Sequence, residues 1–280
     1  MARLVFAVFL VVSMSACSGI KLAYNNLDRL VRWQVGEYVD LDATQKRYLQ
    51  SELDTFMVWH RHNHLPLYAD FILVASEKLT DNPTDSVLNQ MFEQMFAWAD
   101  EIEEKTMPVV VNVLVNLTDG QVAALPARLE ESNREMAEDE LKSDLQELQA
   151  QWAEDVEDGF ERFAGRLSTA QRDYIALRAT GYRPDNVLWA DYRRRWQADL
   201  MALLAKRGDI ENFAVGYRQL VDQRETYYGP ELTEVFDHNI KLGREVAVHL
   251  LAGMTDRQSR RFAESLESLS EDLRELSQET

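Results

Sequence analysis

The sequence predicts an all-α protein, an elongated multi-helix bundle of about nine or ten helices, and three observations carry that expectation. Glycine and proline are scarce, 11 and 6 in 280 residues, while Glu, Gln, Ala, Leu and Arg dominate long stretches. Strand signals are confined to one β-branched run, Val109-Val110-Val111-Asn112-Val113-Leu114-Val115, and a lone strand has nothing to pair with. The third observation is a helix-start pattern that occurs at Leu41-Asp42-Ala43-Thr44-Gln45, Leu117-Thr118-Asp119-Gly120-Gln121, Leu167-Ser168-Thr169-Ala170-Gln171 and Met254-Thr255-Asp256-Arg257-Gln258. In each copy the oxygen of Asp42, Thr118, Ser168 or Thr255 can accept from an unpaired first-turn amide. The side chain of Gln45, Gln121, Gln171 or Gln258 reaches back to the cap's own N–H, a capping box worth typically ~1 kcal/mol. An apolar residue follows each Gln by one helical turn: Leu49, Leu125, Ile175 and Phe262. The copies are unevenly spaced, so they do not form a regular solenoid.

Taken in order, residues 1–16 carry one basic residue, Arg3, the apolar run Leu4 to Val12 and the small residues Ser15 and Ala16, a secretory signal too short to span a bilayer permanently. Met14-Ser15-Ala16-Cys17 resembles the lipobox of bacterial lipoproteins, with Met14 where Leu is commoner. The resemblance implies that Cys17 is acylated and becomes the mature N-terminus. Cys17 is the only cysteine, so no disulfide competes for it. The alternative is an ordinary secretory signal with an incidental cysteine. Ser18, by resemblance to the sorting rule of Gram-negative lipoproteins, implies the outer membrane and its periplasmic face. Removing Arg3 with the signal takes the formal charge from −18 to −19. So acidic a chain is unsuited to nucleic acid, and no polybasic patch follows Cys17, so attachment to the membrane would rest on acyl chains. Residues 17–21 are expected to be a short lipid-anchored tether, and 22–280 a single all-helical domain close to the bilayer, with a subdivision near residue 117 left open.

Apolar spacing predicts a first helix over Leu22 to Tyr38 and a second from the Asp42 cap to about His62. A third follows Pro66, and a fourth starts at Thr84 or Asp85 with a wide apolar arc through Leu88, Met91, Phe92, Met95, Phe96, Trp98 and Ile102. Such an arc reads as core, and as the best candidate for client-binding surface if exposed. The β-branched run reads as a helical turn or helix after Pro108. From the Thr118 cap a helical stretch runs to Arg166, with a break expected near Glu138. Its stripe of Leu141, Leu145, Leu148, Trp152, Val156, Phe160 and Phe163 faces a partner helix, and the acid of Glu130 to Glu161 reads as a solvated face. A short helix ends at Gly181, and Trp189, Tyr192, Trp196, Leu200 and Leu203 make the next stripe. Arg193, Arg194 and Arg195 beside these aromatics could grip phosphates, but in so acidic a chain they are expected to pair with the acidic stretch or meet lipid phosphates. Gly208-Asp209 and Gly229-Pro230 divide off two more helices before the last, Asp256 to Ser277.

Little in the chain points to catalysis. His60, His62 and His64 cluster, and His60 with His64 could share a helix face, but Arg61 stands where a zinc hydrolase needs Glu. No nucleophile elbow, phosphate loop or paired-cysteine site occurs, and the carboxylates are too many for any spacing to single out a pair. The expectation is a non-enzyme without catalytic residues, metal or cofactor, a metal-dependent enzyme of the His60/His64 region being the remote alternative. Leu22-Ala23-Tyr24-Asn25-Asn26-Leu27-Asp28, Trp33, Tyr38-Val39-Asp40-Leu41-Asp42 with Gln45, His60-Arg61, and Leu65-Pro66 with Tyr68 resemble a family of Gram-negative lipoproteins known only as a domain of unknown function. That resemblance implies a localisation and no activity. Leu117 to Gln121, and more loosely the other three boxes, are similar to the Leu-Thr-x-x-Gln motif of the periplasmic Spy and CpxP proteins, helical cradles for unfolded clients. The expected function is therefore an anchored binding or scaffold protein of the envelope, with a Spy-like, ATP-independent chaperone as the alternative; its partners would be the membrane and a protein partner or unfolded client.

Overall fold

A computed structural model describes residues 18–279, and among them the chain forms twelve α-helices, one 3-10 turn and no strand. In chain order these are α1 (Ser18–Tyr24), α2 (Leu27–Tyr38), α3 (Ala43–Asn63), α4 (Leu65–Asp81), α5 (Asp85–Val115), α6 (Asp119–Lys142), α7 (Leu145–Ala164), α8 (Thr169–Ala179), α9 (Asn186–Leu204), α10 (Ile210–Asp222), the 3-10 turn Arg224–Tyr227, α11 (Gly229–Ala252) and α12 (Asp256–Gln278). The expected signal peptide and Cys17 lie outside the described residues.

The count exceeds the expected nine or ten for local reasons. The helix expected over Leu22 to Tyr38 is two, because Asn26 leaves the helical region (φ −113°, ψ 10°) and its amide donates to Leu22 O at 2.7 Å. A short Asn side chain offers the backbone an alternative to the helical ladder. Residues 18–21, expected as a tether, belong to the first turns of α1. The β-branched run is not a separate element but the end of α5, which continues through Pro108. Interior proline costs ~3 kcal/mol, and burial of Met107 with the packing of Val110, Val111 and Leu114 offsets it. The stretch from Thr118 breaks at Ser143, not near Glu138, because Asp144 and Glu147 form a fifth capping box that starts α7. That break leaves Leu141 and Leu145 exposed, against the expectation that they join the buried stripe. Trp152, Val156, Phe160 and Phe163 do pack inward.

Chain order within the bundle repeats itself. Boxes one and three open α3 and α8, whose next helices are α4 and α9, and boxes two and four open α6 and α12. The two most extensive helix contacts cross over: α6 lies along α9, and α12 lies along α4. Asn133 of α6 and Ser270 of α12 stand at equivalent positions after their box glutamines and are fully buried. Asn133 Nδ2 donates to Gln197 Oε1 of α9 at 2.7 Å, and Ser270 Oγ donates to Ala69 O of α4 at 2.9 Å. Small buried residues such as Ala69 and Ala190, both 0% exposed, let these helices approach closely. The core is divided among several clusters. The largest joins Met107, Leu125, Leu200, Leu204, Phe213, Tyr217, Leu220 and Val221. No single described helix is long and apolar enough to cross a membrane; α5 and α6 pass that test only as a pair bent by 115°.

Candidate functional site

The four boxes fold as capping boxes and then do something a capping box does not require. Asp42 accepts from Thr44 N and Gln45 N at 2.7 and 2.9 Å, and Gln45 Oε1 accepts from Asp42 N at 2.8 Å. Thr118, Ser168 and Thr255 accept from the amides of Gln121, Gln171 and Gln258, whose side-chain oxygens accept from the cap N–H groups at 2.8, 2.9 and 3.0 Å. That leaves each glutamine an NH2 group to place, and the fold places all four in two reciprocal pairs.

In the first pair, Gln45 Nε2 donates to Asn116 O at 2.8 Å and to Gln121 Oε1 at 3.1 Å, while Gln121 Nε2 donates to Asp40 O at 2.7 Å and to Gln45 Oε1 at 2.7 Å. In the second, Gln258 Nε2 donates to Arg166 O at 3.1 Å and Gln171 Oε1 at 3.0 Å, and Gln171 Nε2 donates to Gly253 O and Gln258 Oε1, both at 3.4 Å. Asp40, Asn116, Arg166 and Gly253 occupy the same place, two residues before a cap. Each amide thus ties its own helix start to the loop that precedes the other, and each pair has local two-fold character. Leu41, Leu49 and Leu117 pack around the first pair, while Leu167 and Ile175 lie in the core beside the second. Gln171 and Gln258 are buried, and Gln45 and Gln121 half-buried. The glutamine amides are satisfied by the chain itself.

His60 and His64 lie in a different place, at the α3–α4 junction. Their rings stack within 2° of parallel, centroids 5.3 Å apart, and are 6% and 1% exposed. Tyr24 Oη meets His60 Nδ1 at 2.9 Å, Tyr68 Oη lies 3.5 Å from His60 Nε2 and 3.1 Å from His64 Nδ1, and Glu101 Oε2 is 3.5 Å from His64 Nε2. Phe56, Trp59 and Trp98 enclose the group. Burial, and secondarily the neighbouring His64, pulls His60 down to about 3. Burial also lowers His64, against the attraction of Glu101. Burial pushes Tyr24 up to about 12 and raises Tyr68 as well. Neutral imidazoles and phenols joined in one chain are therefore the state at pH 7. Tyrosine hydroxyls engage three of the four ring nitrogens, and among the described residues no group of three or more His, Cys, Asp or Glu could hold a metal ion. His62 points elsewhere, its Nδ1 2.7 Å from Val58 O.

The arginines beside the α9 aromatics each have a partner. Arg194 grips Glu130 through two bonds of 2.9 Å and also reaches Asp191. Arg195 donates to Tyr227 O at 3.0 and 2.8 Å, and Arg193 to Ser132 Oγ at 3.1 Å. The expected pairing with the acidic stretch thus holds for Arg194, while Arg193 and Arg195 turn to hydroxyl and carbonyl groups. An open groove of about 290 Å³ between α9 and α10, lined by Asp199, Leu203, Gly216, Gln219 and Tyr227, is distant in sequence from the histidines.

Sequence reasoning located the four boxes but not their pairing, nor the fifth box at Asp144. One signal was available. A capping box accepts Glu as well as Gln at its third position, yet all four paired boxes carry Gln, the residue that can also donate, whereas the unpaired fifth carries Glu147. Tyr24 and Tyr68 carry no sequence signal of this role, because nothing local says that a tyrosine before α2 will meet His60.

No curated protein and no solved structure matches the chain. A family model described as a family of unknown function, DUF6279, matches residues 37–233, more than half of the chain. The chain belongs to this family of unknown function.

Proposed function

We propose that the protein is a lipoprotein held by acylated Cys17 on the periplasmic face of the outer membrane, where it serves as a non-enzymatic binding or scaffold protein. The observation that carries this reading is Met14-Ser15-Ala16-Cys17 one residue after the apolar run Leu4 to Val12, with no second cysteine in the chain. The site geometry is in keeping with a structural role: the four box glutamines are bonded in two pairs, and His60, Tyr68 and His64 are bonded within their own group.

A Spy-like cradle is the second reading, and one observation favours it. The arc on α5 is only partly covered: Leu88 is buried, but Phe92 and Phe96 are 39% and 60% exposed, and Leu67 and Val74 of the adjoining α4 are exposed too. Apolar surface of this kind suits protein contacts. The motif likeness lends this reading less, because the glutamines are engaged within the fold. The test is in-cell crosslinking of the wild type and of Cys17→Ser, with fractionation. The wild type should sediment with outer membrane and yield one recurrent protein, and Cys17→Ser should be found in the soluble periplasm. Unchanged membrane fractionation of the variant would refute the anchor, and a broad set of unrelated clients would favour the cradle over the scaffold.

A further inference from the structure

We infer that α1 and α2 form a membrane-docking face, in which Leu22, Leu30 and Trp33 sit in the headgroup region of the bilayer that holds the Cys17 acyl chains. This rests on the anchor reading above and says which side of the bundle meets the lipid. Leu22, Leu30 and Trp33 are 68%, 41% and 63% exposed, and α2 buries no side chain fully. Leu30 and Trp33 fall at i and i+3 on α2, the spacing of one helical face, and Leu22 is exposed on α1 ahead of the Asn26 break. The Asn25–Asn26 turn joins the two helices through three-residue turns, Asn26 N donating to Ala23 O at 3.2 Å and Arg29 N to Asn26 O at 3.1 Å. The opposite face of α2, with Val35 and Tyr38, packs inward.

Three features select lipid as the occupant. First, α1 begins at Ser18, the residue after Cys17 in the sequence, and Leu22 lies about 6 Å along the helix from Ser18 at 1.5 Å per residue. Second, tryptophan and leucine beside Arg29 match the headgroup boundary, where the indole keeps its N–H near water and the guanidinium meets phosphate. Third, α2 carries Arg29 and Arg32 against Asp28 and Glu37, a net charge of zero in a chain of −18, while Lys21 of α1 is held by Asp272 and Glu275 of α12. The rest of the acidic body would be repelled from anionic lipid, whereas this segment would not. Acyl chains and this face act together, as stable anchoring needs two signals.

The test uses the full mature protein, purified from membranes and reconstituted into phosphatidylethanolamine/phosphatidylglycerol vesicles with brominated acyl chains. Tryptophan emission should be quenched, and Trp33→Phe should lose most of that quenching, while Trp152→Phe, on the α7 core face, should lose none. Leu30→Asp with Trp33→Asp should leave the vesicle-bound fraction lower at high salt than in the wild type. Acylated protein that stays on the vesicles with no Trp33-dependent quenching would overturn the docking face alone. A mature mass without acyl groups would overturn the anchor, and the docking face with it.

Discussion

Gln171→Glu separates a glutamine that caps from a glutamine that joins two loops. A capping box works with either residue, because the third position needs only an acceptor for the cap N–H. If Gln171 did no more than cap, the substitution would be silent. In the fold, Gln171 Oε1 accepts from Ser168 N at 2.9 Å and from Gln258 Nε2 at 3.0 Å, and a carboxylate can do both. The carboxylate cannot donate to Gly253 O or to Gln258 Oε1, and instead sets lone pairs and a charge against them. Gln171 is 6% exposed and Gln258 5%, so water replaces little of the loss. A buried polar group left unpaired costs about 1–3 kcal/mol; Gly253 O loses its donor, and Gln258 Oε1, which keeps its bond from Thr255 N at 3.0 Å, faces the new charge, so a loss of about 2–4 kcal/mol at pH 7 is expected. That corresponds to a fall of about 4–16 °C in Tm for a domain of this size. Burial and the facing oxygens raise the pKa of the introduced acid in the folded state. The penalty is therefore full above that folded value and relieved as pH falls and the group protonates. Glu147→Gln in the unpaired fifth box is the control and should change stability by less than about 0.5 kcal/mol. The assay is urea unfolding followed by circular dichroism at pH 7 and pH 5. Gln171→Glu as stable as wild type at pH 7 would refute the coupling, as would a Gln171→Ala, Gln258→Ala cycle with no interaction energy, where contacting residues give about 0.5–3 kcal/mol.

Two further predictions concern named residues elsewhere. His60 is pulled to about 3 in the folded protein against an ordinary 6.5, so it is neutral when folded and charges on unfolding; its contribution to stability is complete above about pH 6.5 and is lost as pH falls toward 3. Ring resonances of His60 that titrate near pH 6.5 in the folded protein would contradict this burial. Gly165 ends α7 at φ +78°, with Arg261 Cδ 2.8 Å from where a Cβ would sit, so Gly165→Ala should destabilise by about 1–2 kcal/mol. Thermal unfolding is the check, and an unchanged Tm would show that the α7–α8 corner relaxes freely.

The sequence by itself determined the helical class, the places where helices start and the candidate anchor, because each depends on residues near one another in the chain. The boxes at Asp42, Thr118, Ser168 and Thr255 are legible for that reason: cap and glutamine lie within one turn. Pro108 misled for the complementary reason. A proline's local penalty argues for a helix start, while the burial that keeps α5 unbroken comes from α6, α9 and α10, remote in sequence. Only the tertiary structure decided which box meets which, since a glutamine amide has the same letters whether its NH2 faces water or a carbonyl 81 residues away. It also decided that His60 and His64 are stacked, neutral and bonded to tyrosines, because spacing places two rings on one face without saying what covers them. And it decided that Trp33 faces outward while Trp152 packs inward: helical periodicity gives the angle between side chains, and the direction of the core belongs to the whole chain.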